Sequence, residues 1–124
     1  MAQNLKVLAV DDDMINLKLL KSMLMKTGNV AEVVEARNGA DAINALKERN
    51  DIDIILLDII MPVMGGIEML KVVRADENLN QLPIIVLTTD ETKKNEALEA
   101  GANGFLMKPV RAADVAQKIS EVIL

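Results

Sequence analysis

The chain has no cysteine, no histidine, no tryptophan and no tyrosine, and a single phenylalanine, Phe105. Each absence removes a class of chemistry. Without cysteine there are no disulfides and no thiolate metal sites, and cytoplasmic residence is the simplest expectation. Without histidine the chain cannot phosphorylate its own imidazole. It also lacks a usual zinc ligand and the usual base of a hydrolytic triad. One aromatic ring leaves almost nothing on which to stack a flat cofactor or a base. No apolar run approaches the roughly 18 residues of a membrane helix, so no membrane insertion is expected. Met1-Ala-Gln-Asn-Leu-Lys6 has no basic stretch followed by an apolar one, and no signal peptide is expected. Basic charge is also in deficit. The net charge of −5 argues against a nucleic-acid surface and favours solubility.

What the chain does contain is a series of short apolar runs, each ending in a polar residue. Ile54-Ile-Leu-Leu57 runs into Asp58, and Pro62 stops the run because it cannot donate to a sheet ladder. Val7-Leu-Ala-Val10 precedes Asp11, Asp12 and Asp13. Ile84-Ile-Val-Leu87 precedes Thr88, and Phe105-Leu-Met107 delivers Lys108. Continuous apolar runs of this length, bounded by breakers, fit strands buried on both faces. The C-terminal ends of such strands are where open parallel sheets bind ligands.

Taken in order, the strands are expected over residues 5–10, 30–35, 52–57, 83–87 and 104–107. The first helix follows an Asp at or near its N-cap. Ile15, Leu19, Leu20, Met23 and Leu24 are spaced for its buried face, and Gly28 ends it as a left-handed cap. The Asn38-Gly39 turn leads to a helix through Ala42, Ile43 and Leu46, ending near Arg49-Asn50. Further helices are expected over residues 67–73, with Leu70 and Val73 inward, over 92–100, ending at Gly101, and over 112–123, with Val115, Ala116, Ile119 and Val122 on one face. The methionines read as core filler, by spacing at Met23 and Met69, with Met64 a candidate for exposure. Five alternations of strand and helix with short connections imply an α/β protein with a parallel sheet covered on both faces. The 124 residues suit one domain, with no linker and no output domain expected.

The polar residues can be added as charges. Asp11, Asp12 and Asp58 repel one another at one sheet edge unless they are compensated. Lys108 and one divalent cation would neutralise them. Magnesium suits best, with oxygen ligands and waters that a phosphate can replace; manganese is a possible substitute. A hydroxyl at Thr88 and the Lys108 ammonium would hold further phosphate oxygens, and a carboxylate can itself become an aspartyl phosphate. Singly, each residue has a plainer explanation. An Asp triplet is more often a helix cap, and Asp13 is expected to play that part even here.

Together, the Asp11-Asp12 pair, Asp58 before Met61-Pro62, Thr88 and Lys108-Pro109 closely resemble the receiver domain of two-component response regulators, of the single-domain, CheY-like kind. The resemblance covers essentially the whole chain. It implies a flavodoxin-like, doubly wound five-stranded sheet in the order 2-1-3-4-5. It implies that Asp58 accepts a phosphoryl group from a histidine kinase or a histidine phosphotransfer protein. Asp12 and Asp58 would bind magnesium, with help from Asp11 and the backbone carbonyl of Ile60. Thr88 and Lys108 would hold phosphoryl oxygens. Phe105 would be the rotating aromatic of an output face made by the fourth helix, fifth strand and fifth helix, though a plain core role for this ring is equally open. The domain would be a monomer, with dimerisation on phosphorylation an option. It would signal by protein contact, in chemotaxis or a phosphorelay, and would not be a conventional enzyme although it catalyses its own phosphorylation and dephosphorylation.

Some positions depart from the family pattern. Phe105 stands where tyrosine is common, and Gly65 replaces a frequent polar residue. Thr89 replaces a small residue and would narrow access to Asp58. Ile60 is apolar where polar groups often orient water. Thr89 and Ile60 are therefore expected to lengthen the life of the phosphorylated form. Three other readings compete: a haloacid-dehalogenase-like phosphatase using Asp11, a flavin-binding module, and a receiver that works without phosphate. Ile15 and the missing late acidic pair count against the first, and the lack of Trp and Tyr counts against the second.

Overall fold

The structure, a computed structural model, describes residues 4–27, 29–59, 61 and 64–123. Expectations that fell on Gly28, Ile60 and Pro62 lie outside the described residues. The strands are β1 (Leu5–Val10), β2 (Val30–Ala36), β3 (Ile54–Asp58), β4 (Ile84–Thr88) and β5 (Gly104–Met107). The helices are α1 (Met14–Met25), α2 (Gly39–Glu48), α3 (Gly66–Ala75), α4 (Lys94–Glu99) and α5 (Ala112–Ile123), with a 3-10 turn over Glu91–Lys93 leading into α4. All strand pairs are parallel, in the order β2-β1-β3-β4-β5. This is the expected doubly wound architecture.

Successive side chains of a strand point to opposite faces, and here they feed two cores. Leu8, Val10, Ile55, Leu57, Ile84 and Val86 pack with residues of α2, α3 and α4 on one side. Val7, Ala9, Ile54, Leu56, Ile85 and Leu87 pack with α1 and α5 on the other. Every residue of β3 and β4 is buried, which is why both read as unbroken apolar runs. Strand order reverses direction at the β1/β3 boundary. The ends of these two strands therefore open a crevice between diverging crossovers.

The buried face of α1 corrects the sequence reading. Leu17, Leu20 and Leu24 face the core. Ile15 is 70% exposed, Leu19 is 55% exposed and Met23 is half-buried. The helix carries two overlapping apolar stripes that share Leu20 and Leu24, and only packing chooses between them. The methionines also divide: Met69 is fully buried, Met64 half-buried, and Met14, Met25 and Met107 are exposed. The other helices turn as expected, with Ala42, Ile43 and Leu46 of α2, Leu70 and Val73 of α3, and Val115 and Ile119 of α5 buried. Gly101, just past α4, has φ +114°, the left-handed conformation expected of it, and a side chain there would strike Arg74.

Candidate functional site

Three strand ends build the site. β1 runs out at Val10, and the Asp11 N–H donates to the Ala36 carbonyl at 3.1 Å, extending the β1–β2 ladder by one residue. Asp11 is only 5% exposed. Its Oδ1 accepts the Asp13 N–H at 2.9 Å and its Oδ2 accepts from Lys108 Nζ at 2.8 Å, so both oxygens are oriented. Asp13 caps α1, accepting from the N–H groups of Ile15 and Asn16, the plain role expected of it. Asp58 closes β3 opposite Leu87 of β4. Asp11, Asp12 and Asp58 each turn an oxygen to within 4.8 Å of the others.

Lys108 arrives from β5. Its N–H donates to the Thr88 carbonyl at 2.8 Å, which fixes where the side chain starts. Its ammonium lies 2.8 Å from Asp11 Oδ2 and 3.5 Å from Asp58 Oδ2. Burial works against the charged form. The Asp11 hydrogen bond and the charges of Asp58 and Asp11 outweigh it, and the pKa lies above the usual lysine value. The ammonium is thus charged throughout the neutral range, where it offsets two carboxylates at once. Its peptide bond to Pro109 is cis.

Thr88 ends β4 and is 1% exposed. Its hydroxyl accepts the Asp90 N–H at 3.1 Å, in a local turn that starts the segment leading to α4. Thr89 is exposed. It shares the lining of a groove of about 310 Å³ with Asp11, Leu19, Lys108, Pro109 and Val110. Phe105 is half-buried against the core on the α4 side, and Lys94 Nζ lies 6.0 Å from its ring centroid. The expected site residues Asp11, Asp12, Asp58 and Lys108 are therefore brought together. Thr88 and Thr89 stand beside them, Phe105 lies on the next strand, and Ile60 is outside the described residues. A larger groove, of about 500 Å³, lies at the opposite ends of the strands among Leu46, Arg49, Ile52 and Leu79, far from this chemistry.

Two residues went unmarked in the sequence. Gly66 donates its N–H to the Ile59 carbonyl at 2.8 Å, and its Cα lies so close to Asp58 that no side chain fits. The adjacent Gly65-Gly66 pair is the one local sequence signal for this close approach. Arg37, just after β2, reaches the backbone carbonyl of Asp12 at 3.4 Å. Nothing in its local sequence signals this, since the contact depends on how β1 and β2 align.

The donor set is all oxygen and strongly acidic, which suits a hard divalent cation and not a soft one. Among the described residues no helix is long and apolar enough to cross a membrane.

Comparison with known proteins agrees with this geometry. A family model described as "Response regulator receiver domain" matches residues 7–120. Chemotaxis protein CheY-3 of Vibrio cholerae is 36% identical over 122 residues, covering 97% of this chain and 92% of that protein. A chemotaxis protein CheY homolog of Campylobacter jejuni is 33% identical over 121 residues, covering 96% and 92%. Among solved structures, Vibrio cholerae CheY4 superposes with a TM-score of 0.86 at 34% identity, covering 95% of this chain and 98% of that one. The receiver domain of sensor histidine kinase PA1611 from Pseudomonas aeruginosa, described with a magnesium ion coordinated in its active site cleft, gives 0.85 at 28% identity, covering 99% and 98%.

Proposed function

We propose, from the premise that this chain belongs to the response-regulator receiver domain family, that it works by accepting a phosphoryl group on Asp58. As a family member it is a two-component signalling domain and not a conventional enzyme. The observation that carries the proposal is the shared ammonium: Lys108 spans Asp11 and Asp58 at the β1/β3 switch point.

In the proposed reaction an Asp58 carboxylate oxygen bonds to phosphorus as the phosphorus–nitrogen bond of a partner's phosphohistidine breaks. The imidazole leaves with the bonding electrons. Asp58 becomes an acyl phosphate, and the step needs positioning and charge neutralisation more than acid–base chemistry. Lys108, held by Asp11, would pair with a phosphoryl oxygen. Asp11, Asp12 and Asp58 would hold magnesium, and the Ile60 carbonyl is assigned there by family resemblance. When bound, that ion would supply positive charge to the carboxylates and the phosphoryl oxygens.

Thr88 would turn its hydroxyl away from the Asp90 N–H that it accepts and donate its O–H to a phosphoryl oxygen, freeing the start of the segment leading to α4. Phe105, one strand away, would follow, altering the surface of α4, β5 and α5 that a downstream protein reads. Exposed Thr89, on the groove beside Lys108, would slow entry of attacking water, so Thr89→Ala would shorten the phosphorylated lifetime. Leu19 of α1 lines that groove and is exposed, as is Ile15 one turn earlier on the helix, and these apolar side chains support a protein as donor. The chemotaxis roles named for its relatives make motility control one candidate output, and phosphorelay another.

A phosphatase working through Asp11 fits less well. Asp13, two residues on and the acid that an Asp-x-Asp phosphatase pair would need, is committed to capping α1, and Asp11 is already bonded to Lys108. Intact mass after incubation with acetyl phosphate and magnesium tests the proposal. The unaltered chain should gain about 80 Da and Asp58→Asn none. A gain that survives in Asp58→Asn would overturn the assignment and point to Asp11.

A further inference from the structure

One cation stands beside the acidic cluster without being part of it. Arg37 follows β2 directly and precedes Asn38, the N-cap of α2. Its exposed guanidinium touches the Asp12 backbone carbonyl at 3.4 Å, a long hydrogen bond. The end of β2 is anchored to the same place, because Asp11 N–H donates to the Ala36 carbonyl at 3.1 Å. Among the described residues Arg37 has no carboxylate within ion-pair distance, whereas Lys108, the cation inside the cluster, has two. A long bond to a neutral acceptor holds the guanidinium at the rim and is easily given up.

The field at that rim is negative. Asp11, Asp12, Asp13 and Asp58 crowd one sheet edge, and Lys108 is already committed to two of them. A divalent cation would still leave the sum negative. Every phosphoryl donor is an anion and must approach against this field.

We propose that Arg37 is a specificity-determining residue for the donor: it offsets the repulsion between the acidic cluster and an anionic phosphoryl donor, and so favours the more highly charged donors. The inference rests on the reading that Asp58 accepts the phosphoryl group. The chemistry is unchanged: an Asp58 oxygen bonds to phosphorus, the bond to the leaving atom breaks, and the leaving group keeps its electron pair. Arg37 exchanges no proton and forms no bond; it acts through its charge.

The test uses two small donors of different charge. Acetyl phosphate is a dianion at neutral pH, and phosphoramidate, with its nitrogen protonated, is a monoanion. Second-order rates of mass gain are measured with magnesium at low and high salt for the unaltered chain, Arg37→Lys, Arg37→Gln and Arg37→Glu. With acetyl phosphate at low salt, Arg37→Lys should stay near the unaltered rate, Arg37→Gln should fall, and Arg37→Glu should fall about tenfold. The losses should be smaller with phosphoramidate and should shrink at high salt. Equal losses with both donors, or losses indifferent to salt, would overturn the proposal and make Arg37 a loop-positioning residue. Unchanged rates in Arg37→Glu would overturn it outright. No mass gain in the unaltered chain with either donor would overturn this inference alone; the Asp58 assignment fails separately, if a gain survives in Asp58→Asn.

Discussion

Gly66 supports Asp58 from behind. A Cβ at this position would lie 2.5 Å from the Asp58 carbonyl oxygen and 2.6 Å from the Ile59 Cα. Both obstacles are backbone, so no side-chain rotation relieves them. The glycine is required by space and not by conformation, since only Gly101 among the described glycines has positive φ. The Gly66 N–H bond to the Ile59 carbonyl adds to the closeness, pinning the start of α3 under the end of β3. Gly66→Ala must therefore push α3 away from Asp58 or tilt the Asp58 peptide. We expect a loss of about 2 kcal/mol in urea unfolding, within the range for overpacked sites. We also expect slower phosphoryl uptake at Asp58, because the carboxylate shifts relative to Lys108. An unchanged unfolding midpoint would show that the contact relaxes freely.

At the scale of elements, α1 shows where sequence pattern stops deciding. Its apolar residues support two faces, and the sequence reading included Ile15, Leu19 and Met23 where the folded helix buries Leu17 beside Leu20 and Leu24. Helix identity was legible because the Asp13 cap and the apolar spacing are local. Helix rotation was not, because it depends on β2 and α5, which pack against α1. The distinction is measurable: Leu17→Ala should cost about 3 kcal/mol and Ile15→Ala less than about 0.5 kcal/mol. Similar costs for the two would restore the other face. The far end of the sheet carries a second local device. Arg49, just past α2, forks onto Glu32 of the edge strand β2 at 2.8 and 2.9 Å, and onto Asp51 at 2.9 and 3.0 Å. Its hydrogen bonds hold the carboxyls of Glu32 and Asp51 below their ordinary values of 4.5 and 3.8. Groups with lowered folded-state pKa stabilise above their unfolded values and lose that contribution as pH falls through the folded ones. Arg49→Gln should thus lower the urea midpoint modestly at neutral pH, the groups being exposed. The gap should close as the solution is acidified below those ordinary values. A gap that stays constant with pH would mean that Arg49 acts by packing alone.

Across the whole molecule, the site and the stability oppose each other. β1, β3 and β5 each deliver a charged residue to one sheet edge, and the fold must hold Asp11, Asp12 and Asp58 within 4.8 Å of one another. That convergence was legible in the sequence, because each charge directly follows its own apolar run and a parallel sheet gathers strand ends. The approaches of Arg37 and Gly66 were not, because each depends on how separate elements align in space. Lys108 relieves Asp11 and Asp58 but makes no ion pair with Asp12 among the described residues. Asp12 is also the exposed member of the trio, so removing its charge should relieve repulsion without opening a cavity. In chelator, Asp12→Asn should raise stability by about 1 kcal/mol, the scale of a partly screened like-charge contact, and lift Tm by about 3 °C. Magnesium should reverse the ranking. A cation that binds only the folded chain adds about 2.7 kcal/mol at a hundredfold excess over its Kd, and the unaltered protein should gain it while Asp12→Asn gains little. Four thermal melts, two proteins with and without magnesium, decide the matter. If Asp12→Asn melts lower in chelator, the Asp12 carboxylate is a structural contact, and the conflict between binding and folding is not located there. If magnesium shifts both proteins equally, Asp12 is not a ligand. The crossing of the two rankings would show a fold that gives up stability at one sheet edge to keep a cation site ready.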